Sequence, residues 1–506
     1  MIALVLLLAS TAICSNVVSS AKTTPAPDLS QQCLSCQAQV ELYNIVFSNQ
    51  TSIDAVTKEL KVKCLKNKDS VKEKLVCDKL VDAVVKIPPA IFAGMADLAW
   101  PLPLGLCAFI RECSVNCCGS DSPPEQIHLS LVNSTTTQST MAVSWVTLTD
   151  EGSVVQYGKS ADDLSLLAAG STLTYTSSGW VGTVHRAIMV QLEEAKTYFY
   201  RVGDGKSSWS DVYSFKTFDP ASTANFAVIA DMAYDTFSDN TVKALTQLVD
   251  EGKINAVIHS GDISYADGFD RHFDDFMNKI QPIAARVPYM ITPGNHEIYA
   301  NFKALKTRFF MPRGVEGADD GMYYVWNYGN VNFLAMNSES AIDLPNFDKD
   351  ELEFFSNVIA ADGLNNVKSL KDSFLVSHFH RPMYCSQHND ECEWKADRLK
   401  KQTEDFLYAS GVELVLTGHV HCYERTTPVY KNSADASGPV HIMQGSSGNR
   451  EGNNGFPEDV QAWSAARSSN YGYGILSVSA DGASMRFGFY DAASMALLDS
   501  VDIQKR

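Results

Sequence analysis

Five short apolar segments in the C-terminal half of the chain are each followed by polar side chains of kinds that bind metal ions. The segments are residues 226–230, 256–259, 289–292, 374–376 and 414–416. Continuous apolar runs of this length are typical of strands buried on both faces. Helix-like stretches separate them, so the pattern predicts an α/β domain over residues 221–506.

Residues 119–220 alternate apolar and polar positions instead. Apolar side chains recur at every second position in four runs: Ile127, Leu129 and Leu131; Met141, Val143 and Trp145; Ile188, Val190 and Leu192; Tyr213 and Phe215. Short alternating strands joined by polar turns predict a β-sandwich. The run 197–202 resembles a strand of fibronectin type III-like sandwiches, where Tyr198 would be a corner tyrosine whose hydroxyl contacts the backbone.

Residues 22–118 have helical periodicity and a group of cysteines. The cysteines are Cys33, Cys36, Cys64, Cys77, Cys107 and Cys113, with Cys117 and Cys118 unassigned. Six cysteines allow fifteen pairings, so spacing alone does not choose among them. The spacing resembles the saposin-like family of helical bundles, whose nested pairing implies Cys33–Cys113, Cys36–Cys107 and Cys64–Cys77. Because such domains often bind lipid, the apolar stretch 87–110 either faces lipid or packs against a neighbouring domain.

The first 21 residues predict a signal peptide, because an apolar run at 2–8 is followed by small residues up to Ala21. Glycosylation sequons at Asn49 and Asn133 agree with a secreted or lysosomal protein. The formal net charge of −18 argues against a nucleic-acid partner. Oligomeric state stays open.

Seven side chains form the candidate metal site: Asp231, Asp262, Tyr265, Asn295, His380, His419 and His421. Two metal ions about 3.5–4 Å apart need a bridging group, and the two oxygens of Asp262 make it the best candidate. A tyrosine ordinarily stays protonated up to a pKa of about 10, so Tyr265 as a ligand indicates a strong Lewis acid such as Fe³⁺. His419 and His421 point to opposite sides of an extended segment and would serve different ions.

The ordered motifs around these residues resemble those of the purple acid phosphatases, within the calcineurin-like metallophosphoesterases. They are Gly261–Tyr265, Gly294–Glu297, His380–Tyr384, Gly418–His421 and the later stretches 445–452 and 463–467. The resemblance implies an αββα sandwich. It also implies that Asp231, Asp262, Tyr265 and His421 hold Fe³⁺, and that Asp262, Asn295, His380 and His419 hold a divalent ion, Zn²⁺, Fe²⁺ or Mn²⁺.

Two positions depart from the family pattern. Ala233 stands where the family usually has glycine, so strain or a small shift is expected in that turn. Ser377 replaces the usual valine, and His378 nearby competes with His380 for the ligand position.

The expected reaction is hydrolysis of a small phosphomonoester by metal-bound hydroxide. His296 is the first candidate proton donor for the leaving group and His388 the second, with an exposed loop histidine as the alternative for His388. Asn295, His296 and Arg381 are candidate phosphate contacts, although Arg381 fits an ion pair equally well. Cys385 and Cys392 are expected to form a disulfide, and Cys422 to be free and buried.

Two other functions stay open. One is a phosphodiesterase acting on phospholipid head groups that the saposin-like domain presents, although enzymes of that kind typically have a histidine where this chain has Met232. The other is a lipid-binding protein with an inactive phosphatase domain, which the presence of all seven ligand types argues against.

Overall fold

The computed structural model describes residues 123–132, 139–148, 152–175, 180, 182–314, 317–341, 344–362 and 369–506. The predicted signal peptide, the saposin-like domain with its three disulfides, and the sequons at Asn49 and Asn133 lie outside these residues. The β-rich domain and the α/β domain that follows it belong to one unit, Pro123–Ser177 with Gly182–Arg506. No helix among the described residues is long and apolar enough to cross a membrane.

The β-rich domain contains seven antiparallel strands in the order β1-β2-β5-β4-β3-β6-β7. They are β1 (Glu125–Ser130), β2 (Met141–Thr147), β3 (Val154–Gly158), β4 (Leu166–Leu173), β5 (Thr183–Met189), β6 (Thr197–Gly203) and β7 (Tyr213–Lys216). The predicted corner contact is confirmed, because the backbone N–H of Glu193 donates a hydrogen bond to the Tyr198 hydroxyl at 3.1 Å.

The prediction of which side chains around β5 face the core is wrong. Ala187 and Met189 enter the core, whereas Val190 is 45% exposed. Gln191 has a φ of 57°, and this left-handed residue breaks the alternation before Leu192 returns to the core. In β1 the predicted core positions Ile127 and Leu129 are confirmed. The polar residues Gln126, His128 and Ser130 are buried too, so burial itself does not alternate in this strand.

Seventeen further strands follow. They are β8 (Ala224–Ile229), β9 (Met232–Ala233), β10 (Ala256–Ser260), β11 (Ile263–Ser264), β12 (Tyr289–Thr292), β13 (Tyr324–Tyr328), β14 (Val331–Ala335), β15 (Phe374–His378), β16 (Leu414–Thr417), β17 (Tyr423–Thr426), β18 (Val429–Tyr430), β19 (Ser433–Ala434), β20 (Val440–Gln444), β21 (Ser464–Ser468), β22 (Gly472–Val478), β23 (Met485–Asp491) and β24 (Leu497–Ile503). All five predicted strands of this domain are confirmed, as β8, β10, β12, β15 and β16.

The helices are α1 (Asp239–Asp250), α2 (Asp270–Ala284), α3 (Lys303–Arg308), α4 (Lys349–Ala360), α5 (Ala396–Leu399) and α6 (Asp405–Ala409). Short 3₁₀ turns occupy Thr236–Ser238, Asn295–Glu297 and Leu370–Asp372, and π-helical turns occupy Glu391–Lys395 and Lys400–Glu404. The N-terminus of α4 is capped by Asp348, whose side chain accepts from the Asp350 N–H.

Two main sheets form the α/β domain. Their strand orders are β12-β10-β8-β22-β23-β24 and β13-β14-β15-β16-β20-β17-β21. The sheets face each other through aromatic contacts such as Phe226 in β8 with Phe333 in β14, whose ring centroids are 5.1 Å apart. On the second sheet Phe374 and Val376 point into this core, whereas Leu375 joins a separate core with residues of α4 and α6. Helices α4 and α6 therefore cover the second sheet on the face turned away from the first sheet, which agrees with the predicted layering on that side.

A buried ion pair lies where the β-rich domain meets the α/β domain. Arg308, at the end of α3, donates to Asp274 in α2 at 2.7 Å and to the side chain of Gln126 in β1 at 2.8 Å. Both charged side chains are 1% exposed. Gln126 also donates to Asp274 Oδ1 at 2.9 Å, so both members of the buried pair are hydrogen-bonded to the β-rich domain.

Candidate metal centre

All seven predicted ligands lie in loops just beyond the carboxyl ends of strands. Asp231 follows β8, Asp262 follows β10 and Asn295 follows β12, and these three strands run parallel in one sheet. His380 follows β15, and His419 and His421 follow β16, its parallel neighbour in the second sheet. The two sheets therefore bring all seven side chains to one edge of the core.

Four of the predicted ligands have left-handed backbone conformations, which residues other than glycine seldom adopt. The φ values are 55° for Asp231, 51° for Asp262, 55° for Tyr265 and 70° for His419. A left-handed residue of this kind costs about 1–2 kcal/mol. Strain at four ligands of one site indicates that the loops are held for function.

Two glycines next to the ligands are required by close packing. A Cβ at Gly418 would lie 2.2 Å from Asp231 Oδ2, and one at Gly294 would lie 2.2 Å from Asp262 Oδ1. Neither position has room for a side chain while the carboxylate stays in place, so both positions require glycine.

Tyr265, Asp231 and His421 form the first ligand group. The Tyr265 hydroxyl lies 3.2 Å from Asp231 Oδ1 and 2.9 Å from His421 Nε2. His421 Nε2 is in turn 3.5 Å from Asp231 Oδ1. Asp231 Oδ2 accepts from the His419 backbone N–H at 2.8 Å, so the carboxylate is held in position.

The second group contains Asp262, Asn295, His380 and His419. His380 Nε2 lies 3.0 Å from Asn295 Oδ1, 3.2 Å from Asp262 Oδ2 and 3.1 Å from His419 Nδ1. One ligand atom each of Asp262, His380 and His419 lies within 4.8 Å of the others. The Oδ1 of Asp262 accepts from the His296 backbone N–H at 3.0 Å, which leaves Oδ2 as the oxygen facing the other ligands.

The histidines of this second group are arranged as metal ligands usually are. The remaining ring nitrogen of His380 is hydrogen-bonded to the Ser260 carbonyl at 3.0 Å. The remaining nitrogen of His419 lies 2.9 Å from a carboxylate oxygen of Glu391. Each contact fixes a proton on the outer nitrogen and leaves the inner nitrogen as a lone-pair donor. The donor set therefore fits metal ions.

Burial sets the protonation of the tyrosine. Burial first, and then the Asp231 and Asp262 carboxylates, raise the pKa of Tyr265 well above its ordinary value. Burial also opposes charge on Asp262, but His380 and His296 outweigh it and hold the pKa of this carboxyl well below its usual range. A phenolate at Tyr265 consequently needs a strong Lewis acid, which agrees with the predicted Fe³⁺.

His296 lies beside both groups. Its Nδ1 is hydrogen-bonded to Asp267, and its Nε2 lies 3.8 Å from Asp262 Oδ2. Burial lowers the pKa of His296, but Asp262 and Asp267 outweigh this and raise it to about 10. The imidazole is therefore a hydrogen-bond donor at neutral and acidic pH.

Three carboxylates near the ligands were not singled out from the sequence. The buried Glu297 accepts from Ile263 N–H at 2.8 Å and from Gly294 N–H at 2.9 Å, which ties two ligand loops together. Glu451 lies 3.8 Å from Nε2 of both His296 and His421. Glu391 contacts His419. In the sequence, Glu297 and Glu451 carry a signal because they lie in the Gly294–Glu297 motif and in the stretch 445–452, whereas Glu391 lies in neither.

The remaining residues predicted for the site are Arg381, His388 and three cysteines. Arg381 pairs with Glu339 at 2.9 Å and with Glu391 at 2.7 Å, as the ion-pair alternative proposed. His388 is 54% exposed and lies 2.9 Å from Asp459. Roles of these two residues toward substrate stay predictions. The Cys385–Cys392 disulfide is present, and Cys422 is free and buried, both as predicted.

The structure shows the surroundings of Ala233 and His378, which belong to the two departures from the family pattern. Ala233 sits in β9, which pairs with β11, and its φ lies outside the left-handed region. The expected strain at this methyl group is therefore absent. His378 lies in the buried interior, where its Nε2 accepts from Trp326 Nε1 at 3.3 Å. Of the two histidines, His380 is the one that lies with the other ligands.

Family models match three consecutive parts of the chain. They are described as "Purple acid Phosphatase, N-terminal domain" over residues 124–217, "Calcineurin-like phosphoesterase" over 224–423, and "Iron/zinc purple acid phosphatase-like protein C" over 438–500. The matches cover both described domains.

Relatives and a solved structure agree with these matches. Purple acid phosphatase 18 of Arabidopsis thaliana is 32% identical over 366 residues, which cover 71% of this chain and 79% of the relative. Acid phosphatase type 7 of Homo sapiens is 31% identical, over 70% of this chain and 85% of that protein. The purple acid phosphatase PPD1 from yellow lupin seeds is 22% identical and shares the fold with a TM-score of 0.66, over 76% of this chain and 75% of that one.

Proposed function

Because this chain belongs to the purple acid phosphatase family and is an acid phosphatase, we propose that it hydrolyses phosphomonoesters at a dinuclear centre of Fe³⁺ and a divalent ion. The observation that carries the proposal is the convergence of seven ligand side chains into two groups at one edge of the core. Asp262 is the residue that connects them. Its Oδ2 faces His380, and its charge acts on both Tyr265 and His421.

The residues divide between the two ions. Asp231, Tyr265 and His421 would hold iron, and Asn295, His380 and His419 would hold Zn²⁺, Fe²⁺ or Mn²⁺, with Asp262 shared. Bound there, the ions would supply positive charge that stabilises the transferring phosphoryl group and would lower the pKa of water.

The protein's own contribution to the reaction centres on His296. This imidazole is fixed by Asp267 and faces the ligand Asp262. In its charged form it donates to a phosphate oxygen or protonates the leaving alcohol. Asn295, the preceding residue, supplies a neutral amide that orients the phosphate. His388, exposed on the loop between Cys385 and Cys392, is the second candidate donor.

The test combines metal analysis with two substrates. Purified protein is expected to contain iron and one divalent ion, to absorb visible light, and to hydrolyse p-nitrophenyl phosphate faster than bis-(p-nitrophenyl) phosphate in mild acid. Faster cleavage of the diester would favour the phospholipid diesterase instead. Protein that binds no metal and cleaves neither substrate would support the inactive alternative. Secretion or a lysosomal location, and lipid binding by residues 22–118, remain separate proposals.

A further inference from the structure

Glu391 lies outside the ligand set but contacts one of its members. Its Oε2 is 2.9 Å from His419 Nε2. The other nitrogen of this ring, Nδ1, lies 3.1 Å from His380 Nε2 and faces the ligand group. For Nδ1 to bind an ion through its lone pair, Nε2 must carry the proton, and the acceptor for that proton is Glu391.

Glu391 is itself held from two sides. Arg381 Nη1 donates to its Oε2 at 2.7 Å, and Lys395 pairs with its Oε1 at 2.5 Å. Arg381 Nη1 also lies 2.9 Å from His419 Nε2. Because arginine has only donors and Nε2 carries a proton, neither group accepts from the other, so both donate to Glu391. The carboxylate is therefore the acceptor that joins the guanidinium to the imidazole.

A disulfide closes the segment that leads to Glu391. Cys385 and Cys392 are bonded, and Cys392 directly follows Glu391 in the chain. Cys385 is buried in a cluster with Val420 and Cys422, on the segment that carries His419 and His421. Cys392 is partly exposed. The bond thus anchors the start of the π-helical turn at Glu391 beside the ligand segment.

We propose that Glu391 is a positioning residue for His419, and that the Cys385–Cys392 disulfide controls how firmly the divalent ion is retained. The inference rests on the proposed dinuclear centre. Reduction by a dithiol transfers two electrons and two protons, breaks the sulfur–sulfur bond, and leaves two thiols while the dithiol becomes a disulfide. The turn at Glu391 is then released from Cys385. Only Arg381 and Lys395 still hold the carboxylate, so the acceptor of His419 is less firmly fixed.

The first experiment measures metal retention in the full-length, metal-loaded protein. Wild type, Glu391→Ala, Glu391→Gln and Glu393→Ala are incubated with EDTA, and the divalent ion is followed by elemental analysis. Glu391→Ala is expected to lose this ion at least about tenfold faster than wild type. Glu391→Gln should fall nearer wild type, because its amide oxygen still accepts from Nε2. Glu393, exposed on the same turn, is the matched control and should change nothing.

Visible absorption separates a local effect from general damage. The band from Tyr265 and iron should be unchanged in every variant while the divalent ion leaves, because the predicted ligand that Glu391 contacts, His419, belongs to the second group. Equal retention by Glu391→Ala and Glu393→Ala would overturn the positioning role. Loss of the band together with the divalent ion in Glu391→Ala would overturn it too, since the effect would then be structural.

The second experiment adds dithiothreitol to the same samples. Reduction should accelerate divalent-ion loss in wild type by less than Glu391→Ala does, because Arg381 and Lys395 still hold the carboxylate, and should add nothing in Glu391→Ala. Equal acceleration in both backgrounds would show that the disulfide does not act through Glu391. A wild-type protein that binds no metal overturns the dinuclear centre and this inference together, whereas a loaded wild type with an unaffected Glu391→Ala overturns only the inference.

Discussion

The Tyr265 hydroxyl lies 2.9 Å from Nε2 of His421, which is 156 residues further along the chain. Both side chains are buried, and the nearest carboxylate oxygen, on Asp231, is 3.2 Å from the hydroxyl. A phenol, an imidazole and a carboxylate that point at one another offer three donor atoms to one ion. Of the three, only the tyrosine produces a visible spectrum with Fe³⁺, so this contact is the part of the site that can be observed most directly.

Tyr265→Phe is expected to abolish the visible absorption of the purified protein. The substitution removes the donor oxygen and keeps the ring, so the free energy of unfolding of metal-free protein should change by only about 1 kcal/mol, as for one hydrogen bond. Absorption spectra and chemical denaturation measure the two effects. Tyr324→Phe is the control, because Tyr324 is equally buried and its hydroxyl contacts the Ile291 carbonyl instead of a ligand. A coloured Tyr265→Phe protein would contradict the iron assignment.

Asp262→Asn should reduce turnover of p-nitrophenyl phosphate by at least about 100-fold, because a neutral amide replaces the shared negative charge. The amide oxygen still accepts from the His296 N–H, so the loop is expected to keep its conformation. Steady-state kinetics and the content of both metals provide the measurement. Unchanged turnover with both ions still bound would rule out a bridging role.

Gly418→Ala should displace Asp231 and lower the iron content. The added Cβ would lie 2.2 Å from Asp231 Oδ2 and 2.5 Å from the Ala230 side chain. Overpacking of this kind destabilises a protein by about 1–3 kcal/mol, which thermal unfolding can detect. Gly455→Ala is the matched control, since a Cβ there meets nothing within 4 Å. If Gly418→Ala retains iron as Gly455→Ala does, the loop is more adaptable than its packing indicates.

Much of this site could be predicted because its ligands follow strands. Parallel strands place their carboxyl ends at one edge, so apolar runs that end at Asp231, Asp262 and Asn295 predict their proximity. Glu391 begins a short π-helical turn that no apolar strand run directly precedes, and Glu451 lies in the stretch 445–452, which follows none of the five predicted strands directly, so neither position is predicted to meet the ligands. Strands β3 and β4 were also missed. Leu167 in β4 is 66% exposed, so burial does not impose a regular alternation on that strand.

Glu413 should make the protein less stable as the pH rises from mild acid to neutral. Burial raises the pKa of this carboxyl to about 7, although it accepts from the Leu375 N–H at 2.7 Å. The folded protein therefore binds this proton more tightly than the unfolded chain between pH values of about 4.5 and 7. The stabilisation is complete below this window and is lost as the pH rises through it, by up to about 3 kcal/mol.

Glu413→Gln replaces the carboxyl group by an amide that does not bind or release a proton in this pH range. Denaturation of wild type and Glu413→Gln at several pH values should show that the stability of wild type relative to the variant falls as the pH rises. Glu353→Gln, at an exposed position of α4, should leave the pH profile of wild type intact. Parallel pH profiles for wild type and Glu413→Gln would contradict the shifted pKa.

Arg308→Ala is expected to destabilise the protein by about 3–5 kcal/mol, because it leaves the Asp274 carboxylate buried without its guanidinium. Arg308 also donates to Gln126, so the loss should loosen the contact between the β-rich and α/β domains. Urea denaturation followed by tryptophan fluorescence measures the change, with the exposed Arg467→Ala as control. The side chains that hydrogen-bond to this pair include Gln126 and Tyr175, and neither is a predicted ligand. Metal content per folded molecule should therefore stay near that of wild type, and a parallel loss of metal would mean that the domain contact also shapes the ligand loops.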